Sequence, residues 1–175
     1  MSVFETPRLR IRPWTHEPVD LDRLWDTYRR WEVARWLGAT PRALASRDEA
    51  AGVVDRWAAR ADGPLGVWAI EVAEAGLVVG TVLLVRLPDS DSDSDAVEVG
   101  WHLHPDSWGH GYATEAARGA VEHGFAHGLP EVYAVVRPDN VRSLAVCRRL
   151  GMRALGRTDR WYGTELEAFV TGRPE

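Results

Sequence analysis

The sequence predicts a mixed α/β (α+β) domain built around a mostly antiparallel sheet. Three observations carry this. Segments of period-2 hydrophobicity are interspersed with segments of period 3.6; two strand-like runs are joined by a turn too short to hold a helix; and one helix lies between two strands, which gives a single β-α-β crossover in an otherwise antiparallel meander. The coarse order is β, α, α, β, β, β, α, β, α, β, β, with no internal repeat or long linker, so one domain spanning 1–175 is expected.

The elements follow in order. Leu9 and Ile11 alternate with Arg8, Arg10 and Arg12, a strand with one buried face that Pro13 closes. Leu21, Leu24, Trp25 and Tyr28 follow helical spacing and predict an amphipathic helix running to about Ala34. Ser46 with Glu49 forms a capping box ahead of the apolar stripe Ala50, Val53, Val54, Trp57 and Ala61, and Gly63-Pro64 ends that helix. Residues 67–72 and 77–86 are rich in β-formers and pair as a hairpin across Glu74-Ala75-Gly76. A strand at 96–103 leads through a glycine-containing loop at 105–111 into a helix whose small face is Ala113, Ala116, Ala117, Ala120 and Gly124. A buried strand at 132–136, a helix at 140–150 and two strands within 152–170 complete the chain.

Composition bounds the function. The 175 residues are 45% hydrophobic and 27% charged, enough for one sizeable core. A formal net charge of −5 argues against a nucleic-acid backbone as partner, so an anionic ligand has to be held by local devices. Charges interrupt every hydrophobic segment before about 18 residues, so no membrane span is expected. Cys147 is the only cysteine, which excludes an intrachain disulfide, and with no secretory signal pattern at the N-terminus a cytoplasmic location is expected. The acidic run at 89–95 lacks the glycine and glutamate of a calcium loop and reads as solvated.

The sharpest motif is Trp108-Gly109-His110-Gly111-Tyr112-Ala113-Thr114-Glu115-Ala116, between a strand end and a helix start. Its glycines let a ligand approach the main chain, and the helix start adds unsatisfied N–H donors and a partial positive charge, which makes a cradle for pyrophosphate. Glycines before a helix also serve as a plain turn.

Glu98-Val99-Gly100-Trp101 stands upstream of this motif, with Asn140-Val141-Arg142-Ser143 and Leu150-Gly151-Met152 downstream. In this order the set resembles the GNAT family of N-acetyltransferases over nearly the whole chain. With Thr6-Pro7-Arg8-Leu9-Arg10-Ile11-Arg12 it is most similar to the branch of ribosomal-protein N-terminal acetyltransferases. The resemblance implies a central, mostly antiparallel twisted sheet of six to seven strands flanked by about four helices, with the fourth and fifth strands of the family splayed to hold the cofactor. It further implies acetyl-CoA as cosubstrate and transfer to a primary amine, of a protein N-terminus or a small molecule, by direct attack in a ternary complex. His102, Leu103, Trp108, Gly109, His110, Gly111, Tyr112, Ala113, Thr114, Asn140 and Ser143 are the cofactor-binding residues so implied. Monomer and homodimer are both compatible. Trp108 stands where the general family motif has Gln or Arg, and Met152 replaces its phenylalanine. Cys147 occupies the position, seven after Asn140, where many members have the tyrosine thought to protonate the departing thiolate.

The chemistry of acetyl transfer sets further requirements. An α-amine has pKa ~8 and a lysine amine ~10.4, so a base must take a proton before attack. Glu98 stands at the family's position for this, and alternation puts it on one face with Gly100 and His102; the other reading is a glutamate that caps a sheet face or pairs with an arginine. N–H donors near His102 and Leu103 suit the oxyanion. Ser143 is the candidate proton donor or thiolate partner, with a helix-cap role as alternative, while Asn140 orients the pantetheine. Cys147 pairs with Leu144 as a small buried hydrophobe and is not assigned to catalysis. His102, His104 and His110 lack acidic or cysteine partners at zinc-site spacing, so no metal is expected. Arg142, Arg148 and Arg149 either meet the cofactor's 3′-phosphate or coat a helix, and Trp31, Trp36, Trp161 and Tyr162 wall either the acceptor site or the core. A non-catalytic acyl-CoA-binding or sensor domain of the same fold is the rival, with Cys147 its best argument.

Overall fold

The computed structural model describes residues 1–88 and 95–173, so most of the acidic run at 89–95 lies outside the described residues. Eight described strands form one sheet: β1 (Phe4–Glu5), β2 (Leu9–Pro13), β3 (Gly66–Val72), β4 (Leu77–Arg86), β5 (Val97–Leu103), β6 (Glu131–Val136), β7 (Arg153–Thr158) and β8 (Leu166–Gly172). Their order is β1-β2-β3-β4-β5-β6-β8-β7, and only the β5–β6 pairing is parallel. Five described α-helices accompany it: α1 (Pro18–Tyr28), α2 (Trp31–Ala34), α3 (Arg47–Ala58), α4 (Tyr112–Ala126) and α5 (Val141–Arg149).

The mixed α/β class is the expected one. The strand count exceeds six to seven because the two-residue β1, too short for a periodicity, adds an edge to β2. The crossover β5-α4-β6 and the hairpin β3–β4 stand where the sequence put them, with Gly76 left-handed at φ 63° in the hairpin turn.

Two helix boundaries differ from expectation. The helix foreseen to run to about Ala34 breaks after Tyr28, and α2 starts at Trp31. Straight continuation of the face that buries Leu24, Thr27 and Tyr28 would bury Trp31; instead Trp31 is 56% exposed and Val33 and Ala34 are buried, so the break re-aims the chain at the core. The α3 stripe stops at Ala58, short of Ala61. Its capping box is also modified: Ser46 Oγ accepts from the Glu49 N–H at 3.2 Å, while the Glu49 carboxylate accepts from the Ala45 N–H at 2.9 Å and not from Ser46.

Apolar packing on both faces holds the sheet. One face buries Ile70, Val82 and Val99 against Ala116, Ala117 and Ala120 of α4 and Leu144 and Cys147 of α5. The other buries Ala69 and Val78 against Leu24, Tyr28, Val53 and Val54. The small face of α4 is required by its close approach: a Cβ at Gly119 would lie 2.8 Å from the Phe4 ring.

Candidate active site

The main opening forms where the sheet comes apart. β5 and β6 are paired at Glu98 and Tyr133 alone, so the following residues of β5 diverge from β6. A cavity of about 1170 Å³ occupies this region, lined by the end of β5, the loop and first turn of α4, and the start of α5. A smaller cavity of about 180 Å³ lies on the other side of the strand gap and is lined by Glu98, Gly100, Val135, Arg137 and Tyr162. Trp36, Leu37, Trp101, His102, Asn140 and Ser143 line both, so the two spaces meet there.

The loop before α4 has the features of an anion cradle. Gly109 and Gly111 are left-handed at φ 84° and 79°, a backbone that glycine adopts without steric penalty. Among the described residues, no acceptor takes the N–H groups of residues 109–114; Glu115 is the first to bond back, to the Gly111 carbonyl at 3.1 Å. Unsatisfied donors of this kind, at the positive end of a helix, suit a diphosphate. Arg8, just before β2, braces the loop: its guanidinium donates to the His110 carbonyl at 3.0 Å and to Glu115 Oε2 at 2.6 Å, and Thr6 Oγ donates to Glu115 Oε1 at 2.7 Å. Residues 109–114 all line the larger cavity.

On β5, the His104 N–H donates to the Val79 carbonyl at 3.0 Å, and by the antiparallel alternation the His102 main chain also faces β4, opposite Thr81. By the same alternation Trp101 and Leu103 turn their main-chain groups towards the gap, so the backbone donors foreseen near His102 and Leu103 fall to Trp101 and Leu103, whereas His102 contributes its side chain to both cavities. The Leu103 carbonyl is taken by the Trp108 indole N–H at 3.0 Å, which ties the strand end to the cradle, and the Arg142 guanidinium lies 4.1 Å over the Trp108 ring.

Glu98 is buried at 6% exposure, and burial raises its carboxyl to about 7 although a hydrogen bond from the Tyr162 hydroxyl to Oε1 acts the other way. Among the described residues no protein donor reaches Oε2, and no arginine pairs with this carboxylate. Burial lowers His102 to about 4, so its ring is neutral at pH 7, with Nδ1 3.0 Å from the Tyr28 hydroxyl.

Residues 8–153 match the acetyltransferase (GNAT) domain family. The chain belongs to the GNAT acetyltransferase family. The uncharacterized N-acetyltransferase YoaA of Bacillus subtilis is 28% identical over 156 residues, covering 88% of this chain and 84% of that protein. Among solved structures, a GNAT-family acetyltransferase from Bacillus anthracis superposes with TM-score 0.78 at 19% identity, covering 96% of each chain. RimL, a ribosomal α-N-protein acetyltransferase solved in complex with coenzyme A, superposes with TM-score 0.78 at 16% identity, covering 98% of each chain. At these identities the structural likeness is one of fold.

In this acetyltransferase the other foreseen residues separate by role. Asn140 is the N-cap of α5, its Oδ1 accepting from the Ser143 N–H at 3.2 Å, so the capping role weighed for Ser143 belongs to Asn140. The half-buried Ser143 lines both cavities. Cys147 is fully buried between α5 and the sheet, lines neither cavity, and burial pushes its thiol up to about 12. The aromatic set divides: Trp36 lines both cavities and Tyr162 the smaller one, Trp161 is core at 4% exposure, and Trp31 is on the surface. Arg142 and Arg149 line the larger cavity, whereas Arg148 does not.

The three histidines do not converge. His104 places Nε2 2.9 Å from Asp26 and Nδ1 2.8 Å from Asp106, and the exposed His110 stacks on Tyr112. Among the described residues no group of three or more His, Cys, Asp or Glu side chains is placed to hold a metal ion, and no helix is long and apolar enough to cross a membrane.

Two residues were missed by sequence reasoning alone. The Arg8 brace stands just before β2, where the sequence alternation marked it only as solvent-facing, and Tyr162 was named only as a cavity or core aromatic. Their partners are 102 to 107 and 64 residues away in the chain, beyond any local pattern.

Proposed function

We propose that the chain moves the acetyl group of acetyl-CoA to a primary amine by direct attack in a ternary complex, acting in the cytoplasm as one domain spanning 1–175. The observation that carries this reading is the junction of the two cavities: a cradle of free N–H groups opens into the larger one, and a buried carboxyl with a pKa of about 7 lines the smaller. The residues of the cradle fit the pyrophosphate of coenzyme A. Glu98 takes the amine proton, directly or through one water; a carboxyl poised near the working pH accepts a proton better than an ordinary glutamate, and about half of it is ionised at pH 7. The main-chain N–H groups of Trp101 and Leu103 are the donors on β5 suited to charge developing on the thioester oxygen.

Ser143 is the hydrogen-bond partner of the departing sulfur. A thiol leaves at a pKa of ~8.5, so a hydroxyl donor is sufficient and a tyrosine at position 147 is not required. That consideration removes the main argument for a non-catalytic sensor. The acceptor, a peptide or protein N-terminus or a small-molecule amine, enters through the smaller cavity, walled by Trp36, Trp101 and Tyr162. The test is incubation with acetyl-CoA and a panel of N-terminal peptides, lysine peptides and small amines, with thiol release and acetylated product followed together. Thiol release that depends on an amine supports the reading; tight acetyl-CoA binding with no amine-dependent release across the panel refutes it in favour of the sensor.

A further inference from the structure

Tyr162 is the one non-glycine residue with positive φ among the described residues, at 59°, and Gly163 follows it at 61°. A bulky residue in this region is disfavoured and persists only where its surroundings hold it. Here the holding contacts are visible. Trp161 next to it is buried with Leu87, Leu166 and Ala168, and its ring meets Tyr133 at 5.7 Å with the planes 60° apart. Tyr133 is the residue paired with Glu98 in the single β5–β6 bridge. The turn between β7 and β8 is thus pinned at the register position of Glu98, and its strained residue delivers a hydroxyl to Glu98 Oε1 while its ring walls the smaller cavity.

We propose that Tyr162 is a positioning residue for acetyl transfer: its hydroxyl holds Glu98 by Oε1 and presents Oε2 to the acceptor amine. The inference rests on the reading of Glu98 as the base and adds the device that aims it. A carboxylate on a strand turns freely about its last bonds, and fixing one oxygen through a donor on a pinned turn leaves the other in a defined place. The donor also favours the ionised carboxylate against the burial that opposes it. Other groups around the carboxyl do not substitute for it. His102, on the same strand, is neutral at pH 7 because burial lowers it to about 4. Arg137 at the end of β6 lines the same cavity but donates to the Gly38 carbonyl at 2.7 Å. The Tyr133 hydroxyl donates to Glu131 at 2.6 Å, Arg60 acts on Tyr162 only through its charge, and β4 and the segment after α2 contribute Leu83, Trp36, Leu37 and Gly38.

The test is Tyr162→Phe, read by kcat/KM against pH with acetyl-CoA and the best amine of the panel, and by carbon-13 NMR titration of the Glu98 carboxyl in the absence of acceptor. Loss of the donor should move both the acidic limb and the NMR midpoint up by about one pH unit. It should lower kcat roughly tenfold on the alkaline plateau with KM for acetyl-CoA unchanged. Fluorotyrosine at 162, a more acidic donor that keeps the ring and the turn, should move the midpoint down. An unmoved midpoint in both variants, or Tyr162→Phe as fast as wild type at pH 7, overturns the assignment. Glu98→Gln separates the two levels: if it removes the limb near pH 7 and leaves only the rise set by the amine's own pKa of ~8, while Tyr162→Phe leaves the limb near pH 7 in place, only the Tyr162 inference falls; if the limb near pH 7 survives in Glu98→Gln, the base assignment falls and the inference with it.

Discussion

Replacing Glu98 by Gln tests the acid–base reading with the least disturbance to the site. The two side chains are nearly isosteric, and the amide oxygen can still accept from the Tyr162 hydroxyl that Glu98 Oε1 now accepts. What is lost is a proton acceptor that burial holds at about 7, within reach of the working pH. General-base catalysis contributes about 10² to 10⁴, so turnover at pH 7 should fall by that factor. Acetyl-CoA affinity should move little, because Glu98 does not line the larger cavity. The lost rate should return in part at high pH, where more of an amine of pKa ~8 is already neutral. The assay is initial-rate thiol release between about pH 6 and pH 9.5, with calorimetry for the cofactor. A mutant as fast as wild type at pH 7 would refute the assignment. A mutant slow at every pH with no recovery would indicate a damaged site, not a missing base.

Gly111→Val places a β-branched residue at φ 79° in the cradle, with its Cβ 3.5 Å from the Arg8 guanidinium, and acetyl-CoA should bind at least about tenfold more weakly by calorimetry while circular dichroism stays native. Unchanged affinity would refute the cradle. Cys147→Ala should keep turnover within about threefold and reduce stability by about 1 kcal/mol, since it removes a fully buried sulfur from the core. A loss beyond about a hundredfold in a folded protein would make Cys147 the acid. Glu98 also makes stability depend on pH. Its folded-state pKa of about 7 lies above the ordinary 4.5, so the unfolded chain holds fewer protons between these values. The contribution is present below about 4.5 and is lost as pH rises through about 7, by about 3 kcal/mol for a shift of this size. Denaturation of wild type and Glu98→Gln at about pH 5 and pH 9 should show the mutant gaining on wild type at the higher pH; an equal difference at both would refute the buried, proton-holding carboxyl.

Much of the site was legible because its parts are local. The two glycines and helix start at 109–112 are contiguous, Asn140 caps a helix whose third residue is Ser143, and the two-residue period of β5 put Glu98 and His102 on one side of the strand. Periodicity also placed Cys147 with Leu144 towards the sheet, where both are buried. The same rule leaves the β5 backbone open, because side-chain alternation does not say which main-chain groups the neighbouring strand consumes; the β4 register does, and it turns the His102 main chain away from the gap.

The sequence by itself determined the mixed α/β class, the crossover that carries the cradle, and the residue types that chemistry on a thioester and an amine requires. Those depend on patterns a few residues long, where propensity, capping and alternation act. Tertiary structure alone decided how the distant pieces meet. Arg8 reaches His110 and Glu115 because β2 and the start of α4 come together at one end of the sheet. The break between α1 and α2 was decided by which face could be buried, and Trp31 and Trp161 parted into surface and core by the same competition for apolar contact. Tyr162 meets Glu98 because the order β5-β6-β8-β7 folds the last turn back onto the bridge at Tyr133. Strand order is set by the summed burial of whole faces, a long-range quantity that no short window of residues contains.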